Sequence, residues 1–177
     1  MEAQEATISR GRPREFCVDA ALSAALGVFW SKGYEGASLS ELTEAMGVTR
    51  PSLYAAFGNK EALFRKALDL YEREKLAFMG AALDAPTARG VAERILTSAL
   101  SMQTSTCGPR GCLNVIHSVA CGAEAESIKA EVVARRASSE AVLCRRFDQA
   151  KMDGDFPEEI DPAALVRYLM TILQGMA

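Results

Sequence analysis

The most reactive side chains of this sequence lie close together in its second half. Cys107, Cys112 and Cys121 surround His117, the single histidine. His117 and Cys121 are four positions apart and would share one helix face, so these residue types also fit a Cys/His metal site. However, the spacing matches no common zinc pattern, and no carboxylate stands at ligand spacing. We therefore predict no metal site, with buried, inert thiols as the main interpretation of the cysteines.

Cys107 and Cys112 also fit a second chemistry, that of a redox-sensing thiol. They flank a Gly-Pro-Arg-Gly loop in which Arg110 would lower the pKa of a neighbouring thiol. Cys112 would also stand at a helix N-terminus, which has the same effect on the pKa. Oxidants and electrophiles attack the thiolate form of cysteine. A sensor function for these two thiols therefore stays open beside the inert one.

The sequence offers no recognisable catalytic constellation. It contains no phosphate-binding glycine loop before a helix, no His-Glu-x-x-His and no Gly-x-Ser-x-Gly. The single histidine leaves only a Cys–His pair for nucleophilic chemistry, and nothing in the spacing brings the two groups together. We therefore predict no catalytic residues, no cofactor and no enzymatic activity.

The elements that would position a functional surface are clearest between Ser38 and Lys60. Ser38 and Glu41 have the spacing of a capping box. Apolar residues then recur at helical spacing, at Leu39, Leu42, Ala45 and Met46. Gly47 ends this short helix in the left-handed conformation at least cost, and Thr49 can cap a second one. Two short helices around a glycine turn are typical of a helix-turn-helix, whose second helix fits the major groove of DNA.

The second of these helices would turn polar side chains toward solvent. Leu53 and Phe57 are four apart and would face inward. This leaves five side chains at the surface, Thr49, Arg50, Ser52, Tyr54 and Ala55. An arginine and hydroxyl groups at the N-terminal end of such a helix suit guanine edges and phosphate oxygens. Asn59 then caps a third helix, whose positive end makes Lys60 suited to grip a phosphate.

This segment resembles the DNA-binding domain of the TetR/AcrR transcriptional regulators. The resemblance covers roughly residues 14 to 70, and the run from 47 to 63 is specific to that family. It implies an all-α protein with an N-terminal three-helix helix-turn-helix domain and a C-terminal helical domain for effector binding and dimerisation. It further implies a homodimeric repressor in which Arg50 and Ser52 face bases, while Thr49, Tyr54 and Lys60 contact the DNA backbone.

Charge supports a local DNA-binding surface rather than a general one. The chain has 177 residues and a formal net charge of −3, unlike proteins that coat nucleic acid. Basic residues nevertheless concentrate in the first part of the chain, at Arg10, Arg12, Arg14, Arg50, Lys60, Arg65 and Lys66. We predict that residues 1–13 form a basic arm that reaches along a DNA groove, with a solvated tail as the alternative. The predicted DNA-binding surface comprises Arg12, Ser38, Thr49, Arg50, Ser52, Tyr54 and Lys60.

Breaks in the helical pattern predict the domain boundaries. The helix-turn-helix domain spans 14–60, and its first helix ends near Gly33. The apolar stripe of that helix is Val18, Ala21, Leu22, Ala25, Leu26 and Phe29. A connecting helix is predicted over 61–85, up to a break at Pro86, and the ligand-binding and dimerisation domain over 86–177. A ligand-driven tilt of the connecting helix would move the DNA-reading helices.

The second domain is expected to hold an apolar effector pocket with a few polar groups. By helical spacing, its lining would be Ile95, Leu96, Met102, Leu113, Ile116, His117 and Phe147. Core packing is the alternative role for each of these residues. The sequence does not identify the effector.

The resemblance also implies that two late helices of each subunit form the homodimer interface, which we place at 127–152 and 161–177. The first carries small residues at a coiled-coil-like spacing, Ala130, Ala134, Ala137, Ala141 and Cys144. The second is apolar on two faces, which calls for a partner beyond its own core, although ordinary core packing is the alternative. The chain stops at Ala177 without a polar cap, and we expect the natural helix to continue.

These observations predict a cytoplasmic homodimeric repressor that binds double-stranded operator DNA and is released by a small-molecule effector. The sequence has no apolar run of transmembrane length and no secretory signal, so no membrane partner is expected. One alternative is a repressor switched by oxidation or alkylation of Cys107 and Cys112. A more remote alternative is a helical small-molecule-binding protein that does not bind DNA.

Overall fold

The computed structural model of the protein describes residues 17–106, 109, 111–115 and 125–177. These residues form eight helices of six residues or more and no strand, which confirms the predicted all-α fold. The helices are α1 (Val18–Gly36), α2 (Leu39–Met46), α3 (Arg50–Phe57), α4 (Lys60–Lys75), α5 (Ala77–Ala82), α6 (Ala88–Thr104), α7 (Glu126–Met152) and α8 (Pro162–Gly175). The predicted arm with Arg12 lies outside the described residues, as do Cys107, Ile116 and His117.

The helix-turn-helix forms as its sequence pattern predicts. The Glu41 N–H donates to the Ser38 hydroxyl (3.2 Å) and the Ser38 N–H donates to the Glu41 carboxylate (3.0 Å), which completes the capping box of α2. Gly47 then adopts φ 65° and ψ 30°, the left-handed conformation that favours glycine. The predicted inward residues that are buried are Leu42, Met46, Leu53 and Phe57. Ala45 is exposed, because the apolar face of α2 is narrower than the pattern indicated.

Helix α1 breaks at Gly33, where the sequence predicts its end. Gly33 has φ 79° and ψ 171°, and the chain makes one further turn before Gly36. Tyr34 follows the break and directs its ring into the core, with the ring centroid 5.2 Å from that of Phe64 on α4. Five residues of α1 are buried against its neighbours, Ala21, Ala25, Leu26, Phe29 and Trp30. Val18, predicted to lie in the same stripe, is 46% exposed because it begins the first turn.

The connecting region is two helices rather than the single helix predicted over 61–85. Helix α4 ends at Lys75, and Leu76 leaves helical geometry with φ −102° and ψ 5°. The Leu76 N–H is shared between the carbonyl oxygens of Tyr71 and Glu72, at 3.3 and 3.2 Å. The break turns Phe78 and its neighbours on α5 toward a second set of buried residues, away from the core of α4. Packing of the apolar residues of α5 against this second set is therefore favoured over a straight continuation of α4.

Buried side chains form two clusters, which we name the head core and the body core. The head core is built from α1 to α4, and Leu113, Ile128 and Val132 complete it from the second half of the chain. The body core is built from α5, α6, the C-terminal half of α7 and α8. Helix α7 thus contributes its first turns to one core and Leu143 and Phe147 to the other.

An ion-pair network joins α4 to α7 beside the head core. Arg135 on α7 lies 2.7 Å from Asp69, 2.8 Å from Glu72 and 2.7 Å from Glu131. Burial lowers the pKa of Arg135, but the surrounding carboxylates raise it by more, so the net shift is upward. Arg65 on α4 pairs with Glu131 as well, at 2.5 Å. The network fixes the first half of α7 against the helix that follows the DNA reader.

The short segment 111–115 packs against the head. Trp30 Nε1 on α1 donates to the Gly111 carbonyl (2.9 Å), and the Leu113 N–H donates to the Tyr71 hydroxyl on α4 (3.3 Å). Leu113 itself is buried in the head core. The segment therefore holds α1 and α4 through its backbone.

Within the described residues, no helix is both long enough and apolar enough to span a membrane.

Candidate nucleic-acid interface

Helix α3 presents a polar surface on a rigid base. Leu53 and Phe57 are 1% and 4% exposed and anchor the helix in the head core. Around these two inward side chains, Thr49, Arg50, Tyr54 and Ala55 are exposed, and Ser52 is half-buried. Four of the five side chains predicted to face solvent are thus exposed, whereas Ser52 is less open than expected. A helix of eight residues with this exposed surface is the right size for a major groove.

Two hydroxyl groups organise the N-terminus of α3. The Thr49 hydroxyl accepts a hydrogen bond from the Ser52 N–H (3.3 Å) and lies 2.9 Å from the Ser52 hydroxyl. This cap satisfies one of the backbone N–H groups that a helix start leaves without partners. The remaining N–H groups and the positive end of the helix dipole face outward with these hydroxyls. Such an arrangement favours contact with phosphate oxygens.

Arg50 is held across the turn between the two short helices. Its Nη2 donates to the Ser40 hydroxyl on α2 at 2.7 Å. A guanidinium has five N–H donors, so this contact orients Arg50 while leaving most of them for another acceptor. A guanine edge offers two acceptors in the geometry that this fork matches.

Lys60 begins α4 beside the reader helix. Its Nζ lies 4.7 Å from the centroid of the Tyr34 ring, and this cation–π contact holds the Lys60 side chain against the head. Partial burial lowers the pKa of Lys60, and the nearby carboxylate of Glu35 partly offsets that shift. Asn59 caps the same helix by accepting from the Ala62 N–H at 2.7 Å. A positioned ammonium group at a helix start is consistent with the predicted phosphate contact.

The hydroxyl of Ser38 already has partners within the protein. It accepts from the Glu41 N–H and donates to the Glu41 carboxylate at 2.7 Å. Glu41 also pairs with Lys32, and that hydrogen bond, with those from Ser38, lowers the pKa of Glu41 to about 2. The structure thus gives Ser38 a capping role, and its predicted contact with DNA stays a prediction.

Arg65 does not belong to the positive surface that the sequence indicated. Its guanidinium pairs with Glu61 and with Glu131 of α7, both at 2.5 Å. The side chain is therefore committed to the junction between head and body, whereas Lys66, the next residue, is exposed. Spacing alone could not separate these two roles, because the carboxylate of Glu131 lies 66 residues further along the chain.

The structure contains a cavity of about 230 Å³ between α4, α5, α6, α7, α8 and segment 111–115. Of the described residues predicted to line an effector pocket, Met102 does so. Ile95 and Phe147 are fully buried in the body core, Leu96 packs against it, and Leu113 belongs to the head core. Helical spacing identified the buried faces correctly but not the part of them that borders empty space.

The predicted lining missed the polar residues of this cavity, Asn114 and Gln103 among them. Asn114 was detectable in principle, because it is the one polar residue in the apolar run from Cys112 to Ile116. Gln103 lies next to the predicted Met102 near the end of α6.

Cys112 borders the same cavity and is half-buried. The Tyr71 hydroxyl donates to its sulfur at 3.4 Å. Burial first, and then Cys112 itself, raise the pKa of Tyr71 well above its usual value, so the hydroxyl stays neutral. Cys144, the last residue of the small-residue stripe on α7, packs against the body core. The thiol of Cys107 and the predicted partners His117 and Cys121 lie outside the described residues.

Comparisons with known proteins agree with this surface. The sequence model for "Bacterial regulatory proteins, tetR family" matches residues 21–67. The HTH-type transcriptional repressor ComR of Escherichia coli (strain K12) is 34% identical over 171 residues, which cover 96% of this chain and 81% of ComR. The repressor BdcR of the same organism is 48% identical over 61 residues, 34% of this chain and 31% of BdcR.

Solved structures of TetR-family regulators also resemble this chain. A cysteine mutant of the TetR family transcriptional regulator CifR, complexed with 26bp double-strand operator DNA, superposes with a TM-score of 0.88 and 41% identity. The match covers 93% of this chain and 87% of CifR. The similarity to ComR and CifR extends over both the head and the body. The chain belongs to the TetR family of bacterial regulatory proteins and is a DNA-binding transcriptional repressor.

Proposed function

We propose that this protein represses transcription as a homodimer whose two α3 helices enter successive major grooves of an operator. The observation that carries the proposal is the exposed N-terminal end of α3, where Arg50 and Ser52 would face bases. Thr49, Tyr54 and Lys60 would contact the DNA backbone around them. A relative of similar structure, the CifR mutant, is bound to double-strand operator DNA.

The proposed dimer interface is formed by α7 and α8, which pack against each other within one protomer. The small residues Ala130, Ala134, Ala137 and Ala141 of α7 are all exposed. On α8, Tyr168 is 64% exposed. Small exposed side chains at helical spacing let a second helix approach closely, so this surface fits a pair of helices from another copy of the chain.

Effector release is proposed to act through the cavity. Glu72 and Leu76, at the end of α4, form part of its wall. Helix α4 begins with Lys60 at the DNA reader, so a molecule that displaces its far end would tilt the reader. A change in the spacing of two reading heads lowers operator affinity, because both half-sites must be engaged together.

The first test is binding to the DNA immediately upstream of the protein's own coding region, in a gel shift at fixed salt with competitor DNA. Arg50→Ala should weaken specific binding by about 1–3 kcal/mol, the range for a bidentate base contact. Arg89→Ala is the matched control. Arg89 is an exposed arginine on α6, and its substitution removes the same charge as Arg50→Ala. Equal binding by the two variants would contradict the assignment of Arg50.

A second candidate function is a repressor switched through a thiol. The supporting observation is that Cys112 borders the cavity and contacts Tyr71 of the helix that leads to the DNA reader. Cys107, the second predicted sensor, would act with it. Cys112→Ser should then abolish release of DNA by mild peroxide while leaving operator affinity unchanged. Retained release would leave the reversible effector as the remaining mechanism.

A further inference from the structure

Asn114 carries a buried acceptor without a partner. The residue is 7% exposed, and its side-chain Oδ1 has no hydrogen-bond donor within reach among the described residues. Proteins rarely leave such an atom unsatisfied, since it has lost its hydration without compensation. Asn114 lies on the wall of the cavity. Rotation of its amide within that wall would present Oδ1 to a molecule in the cavity, which can then supply the missing donor.

The rest of the cavity wall indicates the chemical character of that molecule. It is formed largely by apolar side chains, Leu76, Phe78, Met79, Met102, Met170 and Leu173. Among the described residues, the charged side chains that border it are Glu72 and Arg136, which are of opposite sign. A lining without an excess charge favours an uncharged ligand, because a lone ion would lose its hydration without a counter-charge.

The volume limits the size of the ligand. A cavity of about 150 Å³ is large enough for benzene. By proportion, the present cavity of about 230 Å³ holds about nine non-hydrogen atoms. Methionine side chains adapt their shape, so the cavity tolerates ligands of differing outline within this volume.

We propose that the effector of this repressor is a small, uncharged and mostly apolar molecule with one hydroxyl or N–H group, which donates to Asn114 Oδ1. The inference rests on the effector-release function proposed above. It concerns binding alone, so it is testable without DNA.

The position of Asn114 also links the ligand to the head. Its neighbour Leu113 is buried in the head core, and the Leu113 N–H donates to the Tyr71 hydroxyl. On the other side, the Gly111 carbonyl accepts from Trp30 Nε1 at 2.9 Å. A ligand that draws Asn114 toward the cavity therefore pulls on the segment that holds α1 and α4.

The test uses 4-ethylphenol and ethylbenzene as probes, which differ by one hydroxyl group. Their binding to the full chain and to Asn114→Leu is measured by isothermal titration calorimetry. Leucine has a similar volume but cannot accept a hydrogen bond. We expect 4-ethylphenol to bind the unmodified chain at least about tenfold more tightly than Asn114→Leu. Ethylbenzene should show the reverse preference, because the variant no longer presents an unsatisfied oxygen to it.

Gln103→Leu is the matched control, since it removes another amide from the same wall. It should leave the ratio of the two affinities unchanged. Ethylbenzene binding reports whether the cavity of each variant is intact, and Asn114→Ala provides the same comparison where leucine does not fit. The proposal is overturned if the unmodified chain does not bind 4-ethylphenol, or if Asn114→Leu leaves the ratio unchanged.

A gel shift with 4-ethylphenol then separates this inference from the proposed function. Selective binding through Asn114 without release of operator DNA would support the ligand class and contradict effector release. Release of DNA by both probes to the same extent would support effector release and overturn the role of Asn114.

Discussion

The head core and the body core are packed in different ways. In the head, aromatic rings interlock edge to face, with centroids of Phe29 and Phe64 4.9 Å apart and those of Trp30 and Tyr71 5.0 Å apart. In the body, the buried side chains are mostly aliphatic, and flexible methionines surround a cavity. Aromatic pairs fix geometry, whereas methionine adapts to it. The difference fits the two proposed tasks, because a DNA reader needs a fixed shape and a ligand site needs empty space.

Loss of one interlocking ring should have the largest effect. Phe64 is fully buried and contacts two other rings, so Phe64→Ala should lower the free energy of unfolding by about 3–5 kcal/mol. Leu173→Ala is the comparison in the body, where the side chain already borders empty space and the loss should be smaller. Urea unfolding measures both. A larger loss at Leu173 would mean that the body is packed as tightly as the head.

The junction between the cores should respond less strongly. Arg135→Ala leaves three carboxylates without their shared cation and should cost about 1–3 kcal/mol, between the values for exposed and buried ion pairs. Arg145→Ala, an exposed residue on the same helix, is the control and should have little effect. Urea unfolding again provides the measurement. Equal stabilities of the two variants would remove the network from the stabilising contacts.

A smaller effect is expected from the hydroxyl that joins α4 to segment 111–115. Tyr71→Phe keeps the ring but removes the acceptor for the Leu113 N–H, which should cost about 0.5–1.5 kcal/mol. If the segment transmits ligand binding, the variant should bind 4-ethylphenol normally yet release operator DNA less completely. Calorimetry and gel shift together measure the two properties. Unchanged release would show that the hydroxyl has no part in transmission.

The smallest effect concerns an exposed carboxylate of the head. The hydrogen bonds from Lys32 and Ser38 lower the pKa of Glu41 to about 2 in the folded protein, below its ordinary value of about 4.3. Its contribution to stability is therefore present above that ordinary value and is lost as the pH falls toward 2. Glu41→Gln, which keeps a capping-box residue, should unfold with a weaker pH dependence between about 4.3 and 2. Urea titrations across this range measure it, and identical pH profiles would contradict the coupling.

The helix-turn-helix and the start of α4 could be predicted almost completely from the sequence, because their signals are local. Ser38, Gly47 and Asn59 mark helix ends through their own side chains or backbone, and each acts in the structure as its residue type predicts. The burial of Leu53 and Phe57 followed from helical spacing in the same way. Propensity, capping and periodicity all agree within this segment.

The cavity could not be predicted, because empty space depends on contacts between distant residues. Leu76 lines it after a break in the chain that no proline or glycine announces. Phe147 occupies a helical position equally suited to the pocket, but it packs against Phe156 with ring centroids 5.6 Å apart. The pairing of Arg65 with Glu131 was hidden for the same reason. Long-range geometry decided each of these outcomes.

The shared core has a consequence for protein engineering. Ile128 and Val132 of α7 and Leu113 close the head core from the second half of the chain. A fragment cut after α4 would carry the whole DNA reader but expose the apolar surface that these side chains cover. An exchange of the segment C-terminal to α4 between related repressors must therefore keep the first turns of α7 matched to α4. In this protein the boundary suitable for grafting runs through the interior of a helix and not through a loop.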